Sequence, residues 1–277
     1  MTIEFKGNYY FIYLAAFLII TILFGVIFMK KDKNIQYKVL LGLSFFNFAL
    51  HFLKLLLPEY SDDMPNSITT VTFENIAAVS TIIMPFVLLS KNKVLRDYMF
   101  YIGVIGGLLA LAYPMKVFGK EATDLDVIRF YMCHSLLFIV PFYMVFFGIH
   151  DLNIKRVPLF PLVFIGVLCL ILANEVILME IGLVEFRSNS FLNYNYRNTS
   201  FIFGPIEEFE EFSESFIEPL VPSVFKTVAD GTYTGSEKYI PILWLAVPCF
   251  IYFSVIGAGF CLFFTKVLKK SGDSSSF

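Results

Sequence analysis

The sequence predicts an all-α, polytopic membrane protein with seven transmembrane helices, its N-terminus outside and its C-terminus cytoplasmic. Of its 277 residues, 57% are hydrophobic and only 16% are charged, which is more apolar surface than a soluble domain of this length can bury. Seven apolar runs have about the 20 residues that cross a bilayer. Basic residues concentrate in alternate loops, and this asymmetry indicates the orientation. The expected location is the cell membrane.

In chain order, the seven runs are Tyr9–Met29, Lys38–Leu57, Ile68–Ser90, Tyr98–Phe118, Val127–Gly148, Pro158–Leu183 and Tyr239–Thr265. The first run follows no basic stretch, has no Ala-x-Ala cleavage site and ends at Lys30-Lys31-Asp32-Lys33. We therefore expect a retained span rather than a cleaved signal peptide. In the fourth run, Gly103, Gly106 and Gly107 predict close packing against a neighbouring helix.

The loops predict both orientation and domain organisation. The predicted cytoplasmic loops carry basic clusters at Lys30 to Lys33, Lys91 to Arg96 and Lys266 to Lys270, whereas acidic residues collect on the opposite side. Residues 1–183 are predicted to form a six-helix membrane bundle that carries a polar site. Residues 184–238 form an extracellular acidic loop, and residues 239–277 form the seventh helix and a cytoplasmic tail.

The acidic loop contains Phe209, Phe212 and Phe216 at helical spacing, beside the acidic run Glu207 to Glu211. This spacing predicts a short amphipathic helix, and a solvated acidic face is the alternative interpretation. The loop is the segment through which we expect a partner membrane protein to bind, if there is one. The other expected partners are membrane lipids. A net charge of -2 gives no indication of a nucleic-acid partner.

Polar side chains within the spans are the candidate functional residues, because an ionisable group in the membrane is costly and marks either a function or a buried pairing. Four of them lie six to nine residues from the predicted outer ends of their spans: His51, Glu74, His134 and Asn174. At 1.5 Å per residue, this depth is about 9–14 Å. The four therefore form one layer in the outer half of the bilayer. Nearer the surface, a charged rim is predicted from Lys54, Arg129 and Glu180.

Helical spacing predicts which of these side chains share a face. Asn47, His51 and Lys54 share one face of the second span, and Thr70 shares a face of the third span with Glu74. Thr72 and Asn75 adjoin the latter pair. The convergent faces either fix helix packing without chemistry or form a pocket in which two histidines and a carboxylate support acid–base chemistry.

No metal or cofactor is expected. The four cysteines, Cys133, Cys169, Cys249 and Cys261, lie inside apolar runs and form no Cys-x-x-Cys pair. They are interpreted as small buried hydrophobic residues.

The fifth span carries Arg129-Phe130-Tyr131-Met132-Cys133-His134-Ser135 and then Pro141-Phe142-Tyr143-Met144-Val145-Phe146. This segment resembles the YwaF family of bacterial membrane proteins, which is similar to transmembrane protein 164 of animals. The family commonly has Phe-x-x-Ser-His here, followed by a Tyr-Met pair. Phe73-Glu74-Asn75-Ile76 falls where the family has Leu-His-Leu-Cys-x-Ile, and Asn174 falls where it has an Asn late in span six. The resemblance extends to about Asn195.

The resemblance implies a membrane-embedded acyltransferase or lipid hydrolase. The animal relatives are thought to use a Cys of span three and a His of span five, and the His carries over as His134. The Cys position is occupied by Glu74 and the family's span-three His by Thr72, which departs from thioester chemistry. A neighbouring group that resembles androgen-induced hydrolases of fatty-acid esters uses Thr with His, and Thr72 with His134 is similar to that pair.

Three hypotheses follow from the sequence. The first is a lipid-directed enzyme with His134 as general base, Thr72 as nucleophile, and Glu74 or His51 orienting the histidine; Ser135 is a weaker nucleophile. In this enzyme the substrate is bound by Lys54, Asn75, Arg129, Asn174 and Glu175. The second is a non-catalytic member that binds lipid or a partner membrane protein. The third is a proton- or cation-coupled transporter with a relay of ionisable side chains, although no inverted repeat is visible.

Overall fold

Helices make up the regular secondary structure of the described chain. The computed structural model describes residues 1–184, 200–205, 209–226 and 239–273. Its long helices are α1 (Asn8–Phe28), α2 (Lys33–Leu53), α3 (Ile76–Leu89), α4 (Lys93–Ala112), α5 (Leu125–Phe146), α6 (Leu159–Glu180) and α7 (Leu243–Asp273). Extended pairing within these residues is limited to two isolated bridges, Thr2 with Glu121 and Lys226 with Tyr239. The predicted all-α class is confirmed.

Six of these helices are long and apolar enough to cross a membrane, and α3 is the exception. It has 14 residues and is therefore about 21 Å long, whereas the hydrocarbon core of a bilayer is about 30 Å thick. The predicted span Ile68–Ser90 is thus α-helical only in its second part. Six candidate spans are confirmed, whereas the seventh span and the orientation of the termini remain predictions.

The segment before α3 departs from an α-helix because its polar side chains bond to the local backbone. Ile68–Val71 forms a 3₁₀ turn, and the Thr72 hydroxyl donates to the Thr69 carbonyl over 2.6 Å. The side-chain oxygen of Asn75 accepts from the Ala78 N–H over 2.9 Å, which caps the start of α3. Thr and Asn side chains commonly replace helical hydrogen bonds in this way. The expectation that Thr70 and Glu74 share an α-helical face is therefore wrong.

Two helices begin earlier than the hydropathy pattern predicts. α2 begins at Lys33 and α4 at Lys93, each five residues before the apolar run. At α4 the cause is a helix cap, because the side-chain oxygen of Asn92 accepts from the N–H groups of Val94 and Leu95 at 2.9 and 3.2 Å. Such a cap stabilises a polar first turn that a hydropathy pattern cannot detect.

The chain forms two compact units. The first contains Met1–Ser67, Ser80–Arg156 and the chain from Phe260 onward. The second contains Ile68–Val79 and Val157–Gly259.

In the first unit, α5 is the central helix and packs against α1, α2 and α4. In the most apolar stretch of α5, 67% of the residues are buried, against 11% in the corresponding stretch of α1. Gly103 and Gly107 let α4 approach α5 closely: a Cβ added at Gly103 would lie 2.6 Å from the Leu137 carbonyl oxygen, whereas one at Gly106 would meet open space. The predicted close packing is confirmed for these two glycines and is wrong for Gly106.

In the second unit, α6 packs against the first half of α7, where the Phe160 and Phe253 rings stack with centroids 4.8 Å apart. The indole N–H of the fully buried Trp244 donates to the Phe201 carbonyl over 2.9 Å. A short helix, Glu210–Phe212, continues into a π-helical turn, Ser213–Ile217. Phe212 and Phe216 lie there with ring centroids 5.0 Å apart, so their predicted helical spacing is confirmed. Much of the acidic loop, including 185–199 and 227–238, lies outside the described residues.

Candidate functional site

A polar face of α2 points into the first unit. Asn47, His51 and Lys54 are all buried, with at most 8% of each residue exposed, so the predicted shared face is confirmed although Lys54 belongs to a 3₁₀ turn after α2. Neither polar atom of the Asn47 amide has a hydrogen-bond partner among the described residues. Buried amides normally satisfy both groups, so this position can accept a water molecule or a polar ligand group.

Just above this face, an outer cluster surrounds Tyr60. It consists of Lys54, Glu59, Tyr60, Lys120, Asp126 and Arg129. The carboxylate of Asp126, which is 4% exposed, accepts from Arg129 Nε at 3.0 Å, from Lys120 Nζ at 3.0 Å and from the Tyr60 hydroxyl at 3.1 Å. Lys54 Nζ and Arg129 Cζ each lie 5.8 Å from the centroid of the Tyr60 ring, which is within cation–π range.

The outer cluster includes two of the three residues predicted as a charged rim, Lys54 and Arg129. The third, Glu180, ends α6 in the second unit and is exposed. Tyr60, Asp126 and Lys120 were missed by the sequence reasoning. The available signal was the spacing of Asp126 and Arg129, since a carboxylate three residues before an arginine on a helix forms an ion pair.

The environment of the outer cluster holds its titratable groups in defined states. Burial, followed by the negative charge of Asp126, raises the pKa of Tyr60 to about 12, so the phenol stays protonated and donates. Burial opposes the charged form of Lys120, but hydrogen bonds to Glu59 and Asp126 outweigh it and raise its pKa. Lys120 therefore remains a cation.

His134 lies on α5, and one of its ring nitrogens is hydrogen-bonded to the backbone. Its Nδ1 is 2.9 Å from the Phe130 carbonyl oxygen. A carbonyl only accepts, so we assign the proton to Nδ1, which leaves the lone pair on Nε2. This is the tautomer that a general base needs. The Phe130 ring lies against the imidazole with centroids 4.2 Å apart and restrains its orientation.

In the second unit, Thr72 and Asn174 meet although 102 positions separate them: the Asn174 amide donates to the Thr72 hydroxyl oxygen over 2.9 Å. Two buried carboxylic acids adjoin this pair in sequence, Glu74 at 8% and Glu175 at 4% exposure. The remaining predicted residue, Asn75, uses its side-chain oxygen to cap α3.

The predicted site residues therefore fall into two groups. His51, Lys54, Arg129 and His134 belong to the first unit, and Thr72, Glu74, Asn75, Asn174 and Glu175 belong to the second. The pairing of His134 with Thr72 stays a prediction. Within the described residues, no group of three or more His, Cys, Asp or Glu side chains is arranged to hold a metal ion.

A third polar group, the inner cluster, was not predicted and lies at the opposite end of the first unit. It consists of Asp97, His150 and Arg156. The buried Asp97 carboxylate contacts His150 Nε2 at 2.6 Å and accepts from Arg156 Nη2 at 3.1 Å. The sequence signal was the presence of these ionisable residues just beyond the predicted inner ends of the fourth, fifth and sixth spans.

Apolar helices long enough to cross a bilayer, with buried polar clusters between them, define a polytopic α-helical membrane protein. A family model described as the TMEM164 family matches residues 5–216. The chain therefore belongs to the TMEM164 family, which confirms the resemblance seen in the fifth span. No curated protein and no solved structure matches the chain.

Proposed function

We propose that this protein is an enzyme of the cell membrane that transfers or hydrolyses a fatty-acyl ester of a membrane lipid. The observation that carries the proposal is the hydrogen bond from Asn174 to the Thr72 hydroxyl, in a segment without regular α-helix between Val71 and α3. At membrane depth, irregular backbone is tolerated where it is buried in protein or lines a cavity. Interrupted helices are also typical of membrane-embedded binding sites.

In the proposed reaction, the Thr72 oxygen attacks the ester carbonyl while His134 Nε2 accepts the hydroxyl proton. The tetrahedral intermediate expels the lipid alcohol, which takes that proton from His134, and the acyl group remains on Thr72. Water or a second lipid alcohol then attacks the acyl-threonine, and His134 again accepts and returns a proton. An acid is released in hydrolysis, and a new ester is formed in transfer.

The contacts of the two residues support these roles. The Asn174 amide donates to the Thr72 oxygen and stabilises the negative charge that grows there as the proton leaves. The Thr72 proton is directed to the Thr69 carbonyl, so the hydroxyl must turn about its Cβ–Oγ1 bond before it reacts, which leaves the oxygen and its hydrogen bond from Asn174 in place. The Phe130 carbonyl holds the tautomer of His134, a role that the sequence assigned to Glu74 or His51.

The other predicted residues are proposed to bind the substrate. Lys54 and Arg129 lie in the outer cluster, where two cations beside Tyr60 suit an anionic lipid headgroup. Asn75 and Glu175, which flank the Thr72–Asn174 pair in sequence, are proposed to contact the ester end of the substrate. His51 and Glu74 are proposed to tune the electrostatics around His134 and Thr72, respectively.

The test uses purified protein in lipid nanodiscs, with acyl products measured by mass spectrometry and Thr72 labelling measured with a hydrophobic fluorophosphonate. Thr72→Val and His134→Gln are each expected to lower turnover by about 10³-fold or more, because each removes a member of a nucleophile–base pair. Thr265→Val is the matched control and should keep full activity, because the Thr265 hydroxyl also donates to a nearby carbonyl, that of Cys261, over 2.6 Å and is outside the proposed site. Activity that survives Thr72→Val, or a wild type that turns over no lipid ester and is not labelled, would overturn the proposal.

A second candidate, a non-catalytic lipid-binding member, is favoured by two observations. The Thr72 hydroxyl already donates to Thr69 and accepts from Asn174, and the buried Glu74 stands where the family resemblance places a nucleophilic Cys. In that case, lipid that copurifies with the wild type should be lost in Glu74→Gln while the melting temperature is kept. Equal lipid content in the two proteins would count against it.

A further inference from the structure

A cavity of about 510 Å³ opens in the first unit beside the inner cluster. It lies between the start of α4 and the loop that follows α5, on the face that the charge pattern predicts to be cytoplasmic. The cavity, here called the inner basic pocket, is lined by charged groups that include Lys91, Lys93, Arg96, Asp151 and Arg156. Its volume falls within the range of about 300–1,000 Å³ that small-molecule sites occupy.

Arg156, in the lining of the pocket, is held in place by its hydrogen bonds to Asp97. The Asp97 carboxylate, 2% exposed, accepts from both Nε (2.5 Å) and Nη2 (3.1 Å) of Arg156 and contacts His150 Nε2 at 2.6 Å. Arg156 Nη2 also donates to the Asp151 carbonyl. The hydrogen bond to Asp97 raises the pKa of Arg156. The guanidinium is therefore a permanently charged and fixed part of the wall.

The lining also includes three cations that have fewer protein partners than Arg156. Lys91 and Lys93 are exposed, and Arg96 is anchored by a 2.7 Å hydrogen bond from Nη2 to the Leu88 carbonyl. Its Nε is buried and finds no acceptor among the residues that the structure describes. The pocket also lies at the N-terminal end of α4, where the helix dipole favours negative charge.

The charge balance of the pocket is positive. Four of its lining side chains are cationic, whereas the nearby carboxylates are Asp151 in the lining and Asp97 behind it. Ile149 and Leu152 add an apolar part to the lining. Two anchored guanidinium groups, two exposed lysines and an adjoining apolar edge together suit an oxyanion attached to a lipid.

We propose that the inner basic pocket binds a phosphate-bearing anion, either the headgroup of an anionic phospholipid or a soluble phosphate. The phosphate oxygens accept from Lys91 and Lys93, while Arg96 and Arg156 supply fixed positive charge in the lining. This site is separate from the proposed acyl-transfer residues and does not depend on their activity.

The test compares two double variants of the full chain in nanodiscs. Lys91→Gln with Lys93→Gln removes the two exposed pocket cations and leaves Asp97, Arg96 and Arg156 in place. The matched control is Lys30→Gln with Lys31→Gln, which removes two exposed lysines from the α1–α2 loop outside the pocket lining. Equal melting temperatures of both variants and the wild type establish that the fold is retained.

Two probes distinguish the possible sources of the anion. One is fluorescent phosphatidic acid present as a minor component of phosphatidylcholine nanodiscs, and the other is inorganic phosphate titrated against nanodiscs of phosphatidylcholine alone. The pocket variant should bind at least one probe about tenfold or more weakly than the wild type, with affinity falling as salt rises. Loss of phosphatidic acid binding alone identifies a lipid ligand, and loss of inorganic phosphate binding identifies a soluble one. An equal loss in both variants, or no binding of either probe, overturns the proposal.

Discussion

Replacing Asp97 with Asn tests how much the inner cluster stabilises the first unit. The substitution keeps the side-chain volume but removes the charge that faces Arg156 and His150. Deleting one partner of a buried ion pair lowers the free energy of unfolding by about 3–5 kcal/mol, because the remaining charge is left uncompensated. The Arg156 side chain is 18% exposed and keeps some hydration, so we expect the lower end of this range, about 3 kcal/mol.

The measurement is thermal unfolding of the purified protein, followed by circular dichroism. For a chain of this size, 1 kcal/mol corresponds to about 2–4 °C in Tm, so Asp97→Asn should lower Tm by about 6–12 °C. Asp151→Asn is the matched control: its carboxylate is exposed and its carbonyl contact to Arg156 is kept, so the change should stay within about 0.5 kcal/mol. When Asp97→Asn is combined with Arg156→Gln, the loss in free energy of unfolding should be smaller than the sum of the two single losses, because Arg156 no longer leaves an unpaired cation. Equal melting temperatures for Asp97→Asn and Asp151→Asn would refute the reasoning.

Three further predictions concern packing, the proposed site and the outer cluster. Gly103→Ala should destabilise the protein by about 1–3 kcal/mol, because the new methyl group meets the backbone of α5, whereas Gly106→Ala should be neutral or stabilising by up to about 1 kcal/mol; thermal unfolding of the pair measures both. A double-mutant cycle of Thr72→Val and Asn174→Leu should give a coupling free energy of about 1 kcal/mol in unfolding experiments, and a value near zero would show that their hydrogen bond does not form. Tyr60→Phe should lower the free energy of unfolding by about 1 kcal/mol, because a hydrogen bond to Asp126 is lost. Burial and the charge of Asp126 raise the Tyr60 pKa from 10.0 to about 12. The difference in Tm between this variant and the wild type should therefore be constant below pH 10 and shrink above it, as the wild-type phenol begins to ionise on unfolding. A difference that does not change up to pH 11 would contradict this assignment.

The sequence located three of the long helices accurately. The predicted spans Tyr9–Met29, Val127–Gly148 and Pro158–Leu183 agree with α1, α5 and α6 to within three residues at each end. The thickness of the bilayer sets how long an apolar run must be to cross it, so such a span can be located without knowing its neighbouring helices. The predicted third span begins at Ile68, whereas α3 begins at Ile76, because Thr72 and Asn75 bond to nearby backbone groups. A hydropathy pattern does not record those bonds.

For the candidate site, the sequence by itself determined which side chains are polar within apolar helices and, through the helical period, that Asn47, His51 and Lys54 share a face. Only the tertiary structure decided which polar side chains bond to each other. Asn174 reaches Thr72 across 102 positions, and Asp97 reaches His150 across 53. A hydrogen bond depends on distance and direction to within fractions of an ångström, and those follow from how helices pack rather than from the spacing of residues along any one helix.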